Sequence, residues 1–223
     1  MTDRVVVFDL DGTLTRTDTS LPFLRAVAGA PAVALALAEL VAWLPLDLPR
    51  ALQHERPTAQ HPLGGVGGRI EGRLHERLCR RLLQGRSRGE LDRIARHFAE
   101  RQVAAQLRPE AAAALKAHQQ AGDRLWIVSA SLDLYLTPLV SMLGVEGTLG
   151  TALHFERDAA TGAFAGAPCW GREKVRRLRA VLGDQVTIHR AYGNGTGDDA
   201  LLAMATQPVR VRPRAPWPVV ADA

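Results

Sequence analysis

A short apolar run that ends in two acidic residues is the feature that most constrains this chain. Residues 5–8 read Val-Val-Val-Phe, and Asp9-Leu-Asp11-Gly12 follows directly. Consecutive β-branched residues with no alternating polar position predict a strand that is buried on both faces. A buried strand that stops on two carboxylates costs free energy unless those groups are solvated, paired or bound to a cation. Asp-Gly is also an ordinary turn dipeptide, but the full pattern favours a site for a metal ion and a phosphate group.

The rest of the pattern predicts an α/β fold with a doubly wound parallel sheet. Strands and amphipathic helices alternate, with strands predicted at 124–129, 186–192 and 208–212 and helices at 109–120, 132–143 and 172–182. This alternation is typical of parallel sheets, whose ligands bind beyond the carboxyl ends of the strands. Residues 148–168 break the alternation, and we expect a strand followed by a short hairpin there.

The segment between the first two strands is too long for a plain crossover. Residues 16–107 are mostly helix-like, with a glycine-rich break at 60–68. We therefore predict an inserted helical cap domain over 16–107 and a core domain over 1–15 and 108–223.

The second half of this insertion carries two stripes at four-residue spacing. The apolar stripe, which we expect to be buried, comprises Ile70, Leu74, Leu78 and Leu82, and the basic stripe beside it comprises Arg69, Arg73, Arg77 and Arg81. Between residues 66 and 101, ten arginines face five acidic residues, so the excess of +5 equals the formal net charge of the whole chain. The arginines form either a solvated helix face or a face that overhangs the site and attracts an anionic substrate. Few aromatic residues interleave them, which argues against nucleic acid as a partner.

The first half of the insertion is apolar, with Glu39 as the one charge between Ala26 and Leu46. Its uncharged run is too short to span a bilayer. We expect core helices of the cap, and the alternative is a helix bound to an anionic membrane surface with Trp43 as its interfacial anchor.

The chain's location follows from its N-terminus and its cysteines. The predicted first strand leaves no room for a secretory signal, and Cys79 and Cys169 lie far apart and match no metal spacing. We expect two buried thiols in a reducing cytoplasm, with a disulfide left open as an alternative.

Three further stretches place polar groups where predicted strands end or helices begin. Ser129 ends the second strand, where a hydroxyl suits a phosphate oxygen, and Ser131 is a candidate helix N-cap. Lys174 lies in the first turn of a predicted helix, where a cation opposes the helix dipole and therefore needs an anionic partner. The glycine-rich turn 193–199 follows a strand but lacks the spacing of a dinucleotide-binding loop.

In this order, the four stretches resemble the motifs of the haloacid dehalogenase-like hydrolase superfamily, which implies a Rossmann-like core. The resemblance makes Asp9 a nucleophile and Asp11 a general acid and base. It assigns the second motif to Ser129 and the third to Lys174. Gly193 and Asp198 fit the last motif, but Asn194 replaces its usual metal-binding carboxylate.

The resemblance also implies a Mg²⁺ cofactor and an aspartyl-phosphate intermediate. The implied metal ligands are Asp9, the backbone carbonyl of Asp11, Asn194 and Asp198, and the implied phosphate-binding residues are Gly12, Thr13, Ser129, Ala130 and Lys174. Asp198 would act on the metal directly, through water, or by orienting Lys174. An amide in place of a carboxylate should weaken metal affinity.

A cap between the first and second motifs is similar to subfamily IB of the superfamily, which contains the phosphoserine phosphatases. Asp18 lies where those enzymes carry a substrate-binding glutamate. The cap and the third motif also resemble phosphatidylglycerophosphatase C-type hydrolases. The implied substrate is a small or lipid-linked phosphate monoester. The alternative function is a degenerate binding or regulatory module, and we expect a monomer or a homodimer.

Overall fold

A parallel sheet lies at the centre of the chain. The structure, a computed structural model, describes the backbone of residues 4–53, 64–212 and 217–218 and the side chains of 4–42, 72–212 and 217–218. Within those residues the strands are β1 Val5–Phe8, β2 Arg124–Leu132, β3 Gly147–Thr151, β4 Leu153–Glu156, β5 Ala159–Phe164, β6 Ile188–Gly193 and β7 Ala205–Arg210. The sheet has the order β3-β2-β1-β6-β7 with parallel neighbours, which confirms the predicted doubly wound α/β architecture.

Helices cover both faces of this sheet and form the long insertion after β1. Those in the insertion are α1 Ser20–Ala28, α2 Ala30–Gln53, α3 Gly64–Leu83, α4 Arg88–Phe98 and α5 Ala104–Gln106, with a π-helical turn joining the last two. Those that follow are α6 Pro109–Gln120, α7 Asp133–Leu136, α8 Leu139–Leu143, α9 Arg172–Leu182 and α10 Asp199–Met204.

The apolar character of β1 follows from its central position. Its side chains are buried on both faces: Val6 and Phe8 join one hydrophobic cluster, whereas Val5 and Val7 join the other. Alternate residues of a strand point to opposite faces, so four apolar residues in a row serve two cores. The strand therefore carries Asp9 to the edge where the site forms.

The insertion leaves and rejoins the sheet region at one place. Thr15 bridges Leu107, the Arg16 amide donates to the Gln106 carbonyl at 3.0 Å, and the Arg108 amide donates to the Leu14 carbonyl at 2.9 Å. The two chain crossings therefore lie side by side near residues 15 and 107, where we predicted the domain boundaries, although those boundaries themselves stay a prediction.

The predicted hairpin is present and packs on the insertion. It is formed by β4 and β5, and it pairs with the loop between α3 and α4 through Gly85–Ala160 and Arg88–Asp158 backbone bonds, both of 2.8 Å. Gly162 has a φ of +78°, and a Cβ atom there would lie 2.3 Å from the Arg80 Cα atom. A glycine is required at this approach.

Two predictions about helices and turns were wrong. The predicted helix 132–143 is two short helices, because Pro138 interrupts the pattern and β2 runs to Leu132. The predicted break at 60–68 lies partly outside the described residues, and its part from Gly64 onward belongs to α3. Both errors came from reading local propensity without the surrounding contacts.

The two stripes of α3 are only partly described. Leu78 and Leu82 are buried and Leu74 is half-buried, whereas the side chains of Ile70 and Arg69 lie outside the described residues. Arg73, Arg77 and Arg81 are exposed, and Arg81 pairs with Glu39 of α2 at 2.8 Å. The described arginines therefore form the solvated face.

Helix α2 exposes part of its apolar surface. Leu35 is 54% exposed and Val41 71%, while Trp43, the predicted membrane anchor, has a side chain outside those described. Among the helices that the structure describes, none combines the length and the hydropathy required of a membrane-spanning segment. Cys79 and Cys169 are free, buried thiols, so the alternative of a disulfide between them was wrong.

Candidate active site

Lys174 joins the first and last predicted motifs. Its Nζ atom lies 2.7 Å from Asp9 Oδ1 and 2.6 Å from Asp198 Oδ1. All three side chains are buried. Helix α9 begins at Arg172, so its first turn carries the lysine beneath the end of β1, while the loop after β6 brings in Asp198. One ammonium group thus forms ion pairs with two carboxylates.

Charge and burial together shift the proton affinities of this cluster. Burial raises the pKa of Asp9 to about 6, although the Lys174 ammonium opposes that shift. Burial of the ammonium disfavours its charge, but Asp9 and Asp198 outweigh this and raise the pKa of Lys174 above its ordinary value. Desolvation therefore dominates the shift of Asp9, whereas the two neighbouring carboxylates dominate that of Lys174.

Asp11 is held by Thr19, eight residues further along the chain, and by Ser131 of the distant strand β2. Its Oδ1 atom accepts from the Thr19 amide at 2.8 Å and the Thr19 hydroxyl at 2.7 Å, and its Oδ2 atom accepts from Ser131 Oγ at 2.5 Å. Burial raises the pKa of Asp11 to about 7, and the nearby Asp18 carboxylate adds to the shift. A carboxyl group with such a pKa can both give and take a proton near neutral pH.

The turn between the two aspartates and α1 is built around Gly12. Its φ of +76° is a left-handed conformation, and a Cβ atom there would lie 2.0 Å from the Asn194 side-chain amide. The turn therefore brings the first loop against the loop after β6. Thr13 is fully buried and donates to Asp9 Oδ2 at 3.2 Å, so its side chain orients Asp9 and lies outside the cavity wall formed by the described residues.

Most of the predicted residues line one cavity of about 790 Å³. Its floor includes the predicted residues Asp9, Asp11, Gly12, Ser129, Ala130, Lys174, Asn194 and Asp198. Ser129 Oγ donates to Ser131 Oγ at 3.0 Å and accepts from the Ser131 amide at 3.2 Å. Residues that span more than 180 positions of sequence are thus gathered at the carboxyl edge of the sheet.

Asp18 also lines the cavity, but at an exposed position. Its Oδ1 atom accepts from the Ser20 amide at 3.0 Å and the Leu21 amide at 3.3 Å. These bonds satisfy free N–H groups in the first turn of α1. The structure therefore gives Asp18 a capping contact, whereas its predicted contact with substrate stays a prediction.

The oxygen groups near Asp9 fit Mg²⁺, which needs few carboxylates. The Asp9 carboxylate lines the cavity, and Asn194 places its amide against Gly12. Both Asp198 oxygens are already engaged, because Oδ1 accepts from Lys174 and Oδ2 accepts from the Asn194 and Gly195 amides at 2.9 and 3.1 Å. The contact with Lys174 supports the orienting role for Asp198, but both Asp9 oxygens also accept hydrogen bonds, from Lys174 and Thr13, so metal binding by Asp198 stays a prediction beside that role. No cluster of three His, Cys, Asp or Glu residues suited to a metal occurs in the described chain.

Sequence reasoning missed the partners of Asp11. Ser131 was predicted to cap a helix, but it lies in β2, and Leu132 takes the N-cap position of α7. Its spacing of two from Ser129 was the available signal, because such residues share a face of a strand. Thr19 also contacts Tyr135 Oη at 3.3 Å, and no local pattern marks it.

The raised pKa of Asp11 predicts a pH-dependent stability in the metal-free protein. The folded state holds a proton that the unfolded state releases near pH 4, so the free energy of unfolding should fall as pH rises from about 4 to about 7. In wild type the free energy of unfolding should be lower at pH 8 than at pH 5, and Asp11→Asn should remove about 2 kcal/mol of that difference. Urea unfolding in EDTA measures this, with the exposed Asp184→Asn as the control. Equal pH slopes in Asp11→Asn and wild type would contradict it.

Comparison with known proteins identifies the class to which this fold and site belong. Residues 6–203 match the haloacid dehalogenase-like hydrolase family, and the chain belongs to that family. Protein CicA from Caulobacter vibrioides is 33% identical over 204 residues, which are 91% of this chain and 83% of that protein. A histidinol-phosphatase from Neisseria meningitidis serogroup C is 27% identical over 150 residues, which are 60% of this chain and 68% of that protein.

A solved structure of a substrate-bound phosphoserine phosphatase shares the fold. It superposes with a TM-score of 0.59 at 13% identity, covering 95% of this chain and 86% of that one. The family resemblance and the Rossmann-like fold predicted from the sequence are therefore confirmed.

Proposed function

We propose that this chain is a Mg²⁺-dependent phosphatase that hydrolyses phosphate monoesters through an aspartyl-phosphate on Asp9. The observation that carries the proposal is the buried Lys174 ammonium, 2.7 Å from Asp9 Oδ1, in a cavity that Ser129 and Asn194 also line. Membership of a hydrolase family, with a histidinol-phosphatase among the relatives, supports the reaction class.

The two aspartates have complementary tasks in this reaction. An Asp9 oxygen attacks phosphorus, the phosphorus–oxygen bond to the alcohol breaks, and Asp11 gives its proton to the departing oxygen. Asp11, now a carboxylate, then takes a proton from water while that water attacks the phosphorus of the aspartyl-phosphate. Phosphate leaves, Asp9 is regenerated, and Asp11 is protonated again.

The remaining residues hold the phosphate and its charge. We assign the equatorial oxygens to Ser129 Oγ, the Lys174 ammonium and the backbone N–H groups of Gly12, Thr13 and Ala130; of these residues, all but Thr13 line the cavity. Donors fixed before the reaction stabilise the charge that develops on those oxygens.

The metal would be held by the Asp9 carboxylate, the Asp11 carbonyl and the Asn194 amide oxygen. When bound, Mg²⁺ neutralises charge between the nucleophile and the phosphate and thereby permits their approach. Asp198, which accepts a hydrogen bond from Lys174 at 2.6 Å, would hold the ammonium beside Asp9.

The test is chemical trapping of the phosphorylated protein. Wild type mixed with ³²P-labelled p-nitrophenyl phosphate and Mg²⁺, then quenched in acid, should carry label that hydroxylamine releases, because acyl phosphates react with that nucleophile. Asp11→Asn should carry more label, since p-nitrophenolate leaves without a proton but hydrolysis of the intermediate needs a base. Turnover without labelled protein in both variants would contradict the proposal.

A second candidate function is a binding module with little or no catalysis. It is favoured by Asn194, which stands where the family's usual metal-binding carboxylate would be. Asn194→Asp restores a charged ligand, and it should lower the Mg²⁺ concentration for half-maximal turnover by roughly tenfold if the protein is an enzyme. Phosphate-analogue binding without turnover, in wild type and in Asn194→Asp, would favour the binding module.

A lipid-linked substrate, contact with an anionic membrane, a cytoplasmic location and a monomeric or dimeric state stay predictions. The exposed Leu35 and Val41 of α2, a helix whose Glu39 pairs with the exposed Arg81 of α3, support the membrane contact.

A further inference from the structure

The cavity extends well beyond the residues that would hold a phosphate. Its volume of about 790 Å³ is in the range of pockets that enclose a whole organic ligand. A phosphate group is far smaller than this, so most of the space is available to the alcohol part of an ester. The wall above the catalytic floor comes from α1, α2 and α3 and includes Leu21, Leu24, Leu37, Leu40, Leu74 and Leu78.

Charge is sparse in this upper part. Apart from the catalytic cluster, the charged residues among the described lining are Arg16 and Asp18, and both are exposed. The arginines Arg73, Arg77 and Arg81 of α3 do not contribute to the described lining. An ammonium or carboxylate carried deep into the leucine wall would lose its hydration without gaining a partner there.

His75 is a polar side chain set among the leucines of that wall, whereas Ser20, also polar, lines the cavity at the start of α1. His75 lies on α3 between Leu74 and Leu78, lines the cavity, and packs edge-on against the Phe164 ring with 5.5 Å between centroids. Its Nε2 atom is buried and has no hydrogen-bond partner among the described residues. A buried polar atom without a partner costs free energy, so a ligand group that reached Nε2 on a small rotation of the ring would gain affinity.

The imidazole of His75 is suited to a neutral partner. Burial lowers its pKa below the ordinary value, against the opposing pull of the Asp18 carboxylate. A neutral imidazole has one donor nitrogen and one acceptor nitrogen, and it can therefore bond a hydroxyl, carbonyl or amide group of the ligand.

We propose that the leucine wall and His75 form a leaving-group pocket that selects phosphate monoesters of a largely apolar alcohol bearing one neutral hydrogen-bonding group. This inference rests on the proposed phosphatase function, because it names the substrate class of the same site. The alcohol is either a small soluble molecule or the end of a lipid, and both share this chemistry.

Soluble esters test the pocket through ratios of kcat/KM. Wild type should prefer hexyl phosphate over glycerol 2-phosphate and over O-phosphoserine by at least about tenfold, because each buried methylene contributes to binding. It should also prefer 6-hydroxyhexyl phosphate over hexyl phosphate once the hydroxyl reaches His75.

Two variants assign those preferences to residues. Leu21→Ser should reduce the preference for hexyl phosphate over glycerol 2-phosphate by about fivefold to tenfold. His75→Leu, which keeps an apolar side chain of similar size, should remove most of the preference for 6-hydroxyhexyl phosphate over hexyl phosphate. Leu35→Ser on the exposed part of α2 and His97→Leu on the exposed face of α4 are the matched controls and should change neither ratio.

The outcomes distinguish failure of the pocket proposal from failure of the proposed function. If acetyl phosphate and the esters all fail to turn over, the proposed function itself fails. If acetyl phosphate is hydrolysed but phosphoserine or glycerol 2-phosphate is preferred, or the variants match their controls, the pocket assignment is overturned. Dioleoyl phosphatidic acid in phosphatidylcholine vesicles decides the source of the alcohol: its turnover beside hexyl phosphate supports a lipid, and turnover of the soluble esters alone supports a small molecule.

Discussion

Asp9→Asn is expected to abolish turnover of p-nitrophenyl phosphate, with kcat lower than wild type by at least about 1,000-fold. The amide oxygen is a poor nucleophile toward phosphorus, and it cannot form the acyl phosphate that hydroxylamine would release. Folding should survive, because Lys174 keeps its bond to Asp198 Oδ1 at 2.6 Å, and the substitution removes a carboxylate whose burial is unfavourable. Initial rates and a urea melt on the same preparation measure both quantities.

The exposed Asp184→Asn is a matched control that should keep the wild-type rate. Turnover by purified Asp9→Asn within a few-fold of wild type would show that another group attacks phosphorus, and the proposed mechanism would then be wrong.

Lys174→Met is expected to destabilise the protein by about 3–5 kcal/mol, since it leaves two buried carboxylates without the cation between them. Turnover should fall by at least about 100-fold, because the ammonium no longer offsets repulsion between Asp9 and the phosphate. Lys116→Met at an exposed position is the matched control and should leave both quantities near wild type.

A double variant separates the two effects of Lys174. Lys174→Met with Asp198→Asn removes the ammonium and one of its two carboxylates, so part of the lost stability should return while activity stays low. Recovery of activity together with stability would mean that Lys174 acts only in folding. Urea unfolding and initial rates, measured on wild type, both singles and the double, decide between these results.

The strand β1 could be predicted from the sequence because its signal lies within four consecutive residues. Four apolar residues in a row leave few alternatives to a strand buried on both faces, and Asp9 must then lie at its end. The convergence of Asp9, Ser129 and the loop after β6 followed from topology, since parallel strands end on one edge of a sheet, whereas Lys174 was placed there by its position in a helix's first turn and by the family resemblance.

Other features depend on contacts that no local pattern encodes. Ser131 bonds Asp11 across 120 positions of sequence, and its neighbours suggested a helix cap instead. The predicted helix is divided into α7 and α8 because β2 extends to Leu132 and because Pro138 interrupts the helical pattern. The sequence marked Leu74 and Leu78 of the leucine wall as part of a buried stripe on α3, but it did not show that they line a cavity together with leucines of α1 and α2, or that His75 lies among them.

The hairpin of β4 and β5 has a consequence for how ligands enter the cavity. A cap joined to its core only by the two crossings near Thr15 and Leu107 could swing open as a rigid body. Here the loop after α3 is also tied to β5 by mutual backbone bonds of 2.8 Å between Arg86 or Gly85 and Ala160. Because the hairpin is a two-stranded sheet separate from the central one, a swing of the insertion about the two crossings would either break these bonds or carry the hairpin along, so we expect the hairpin and the end of α3 to move together.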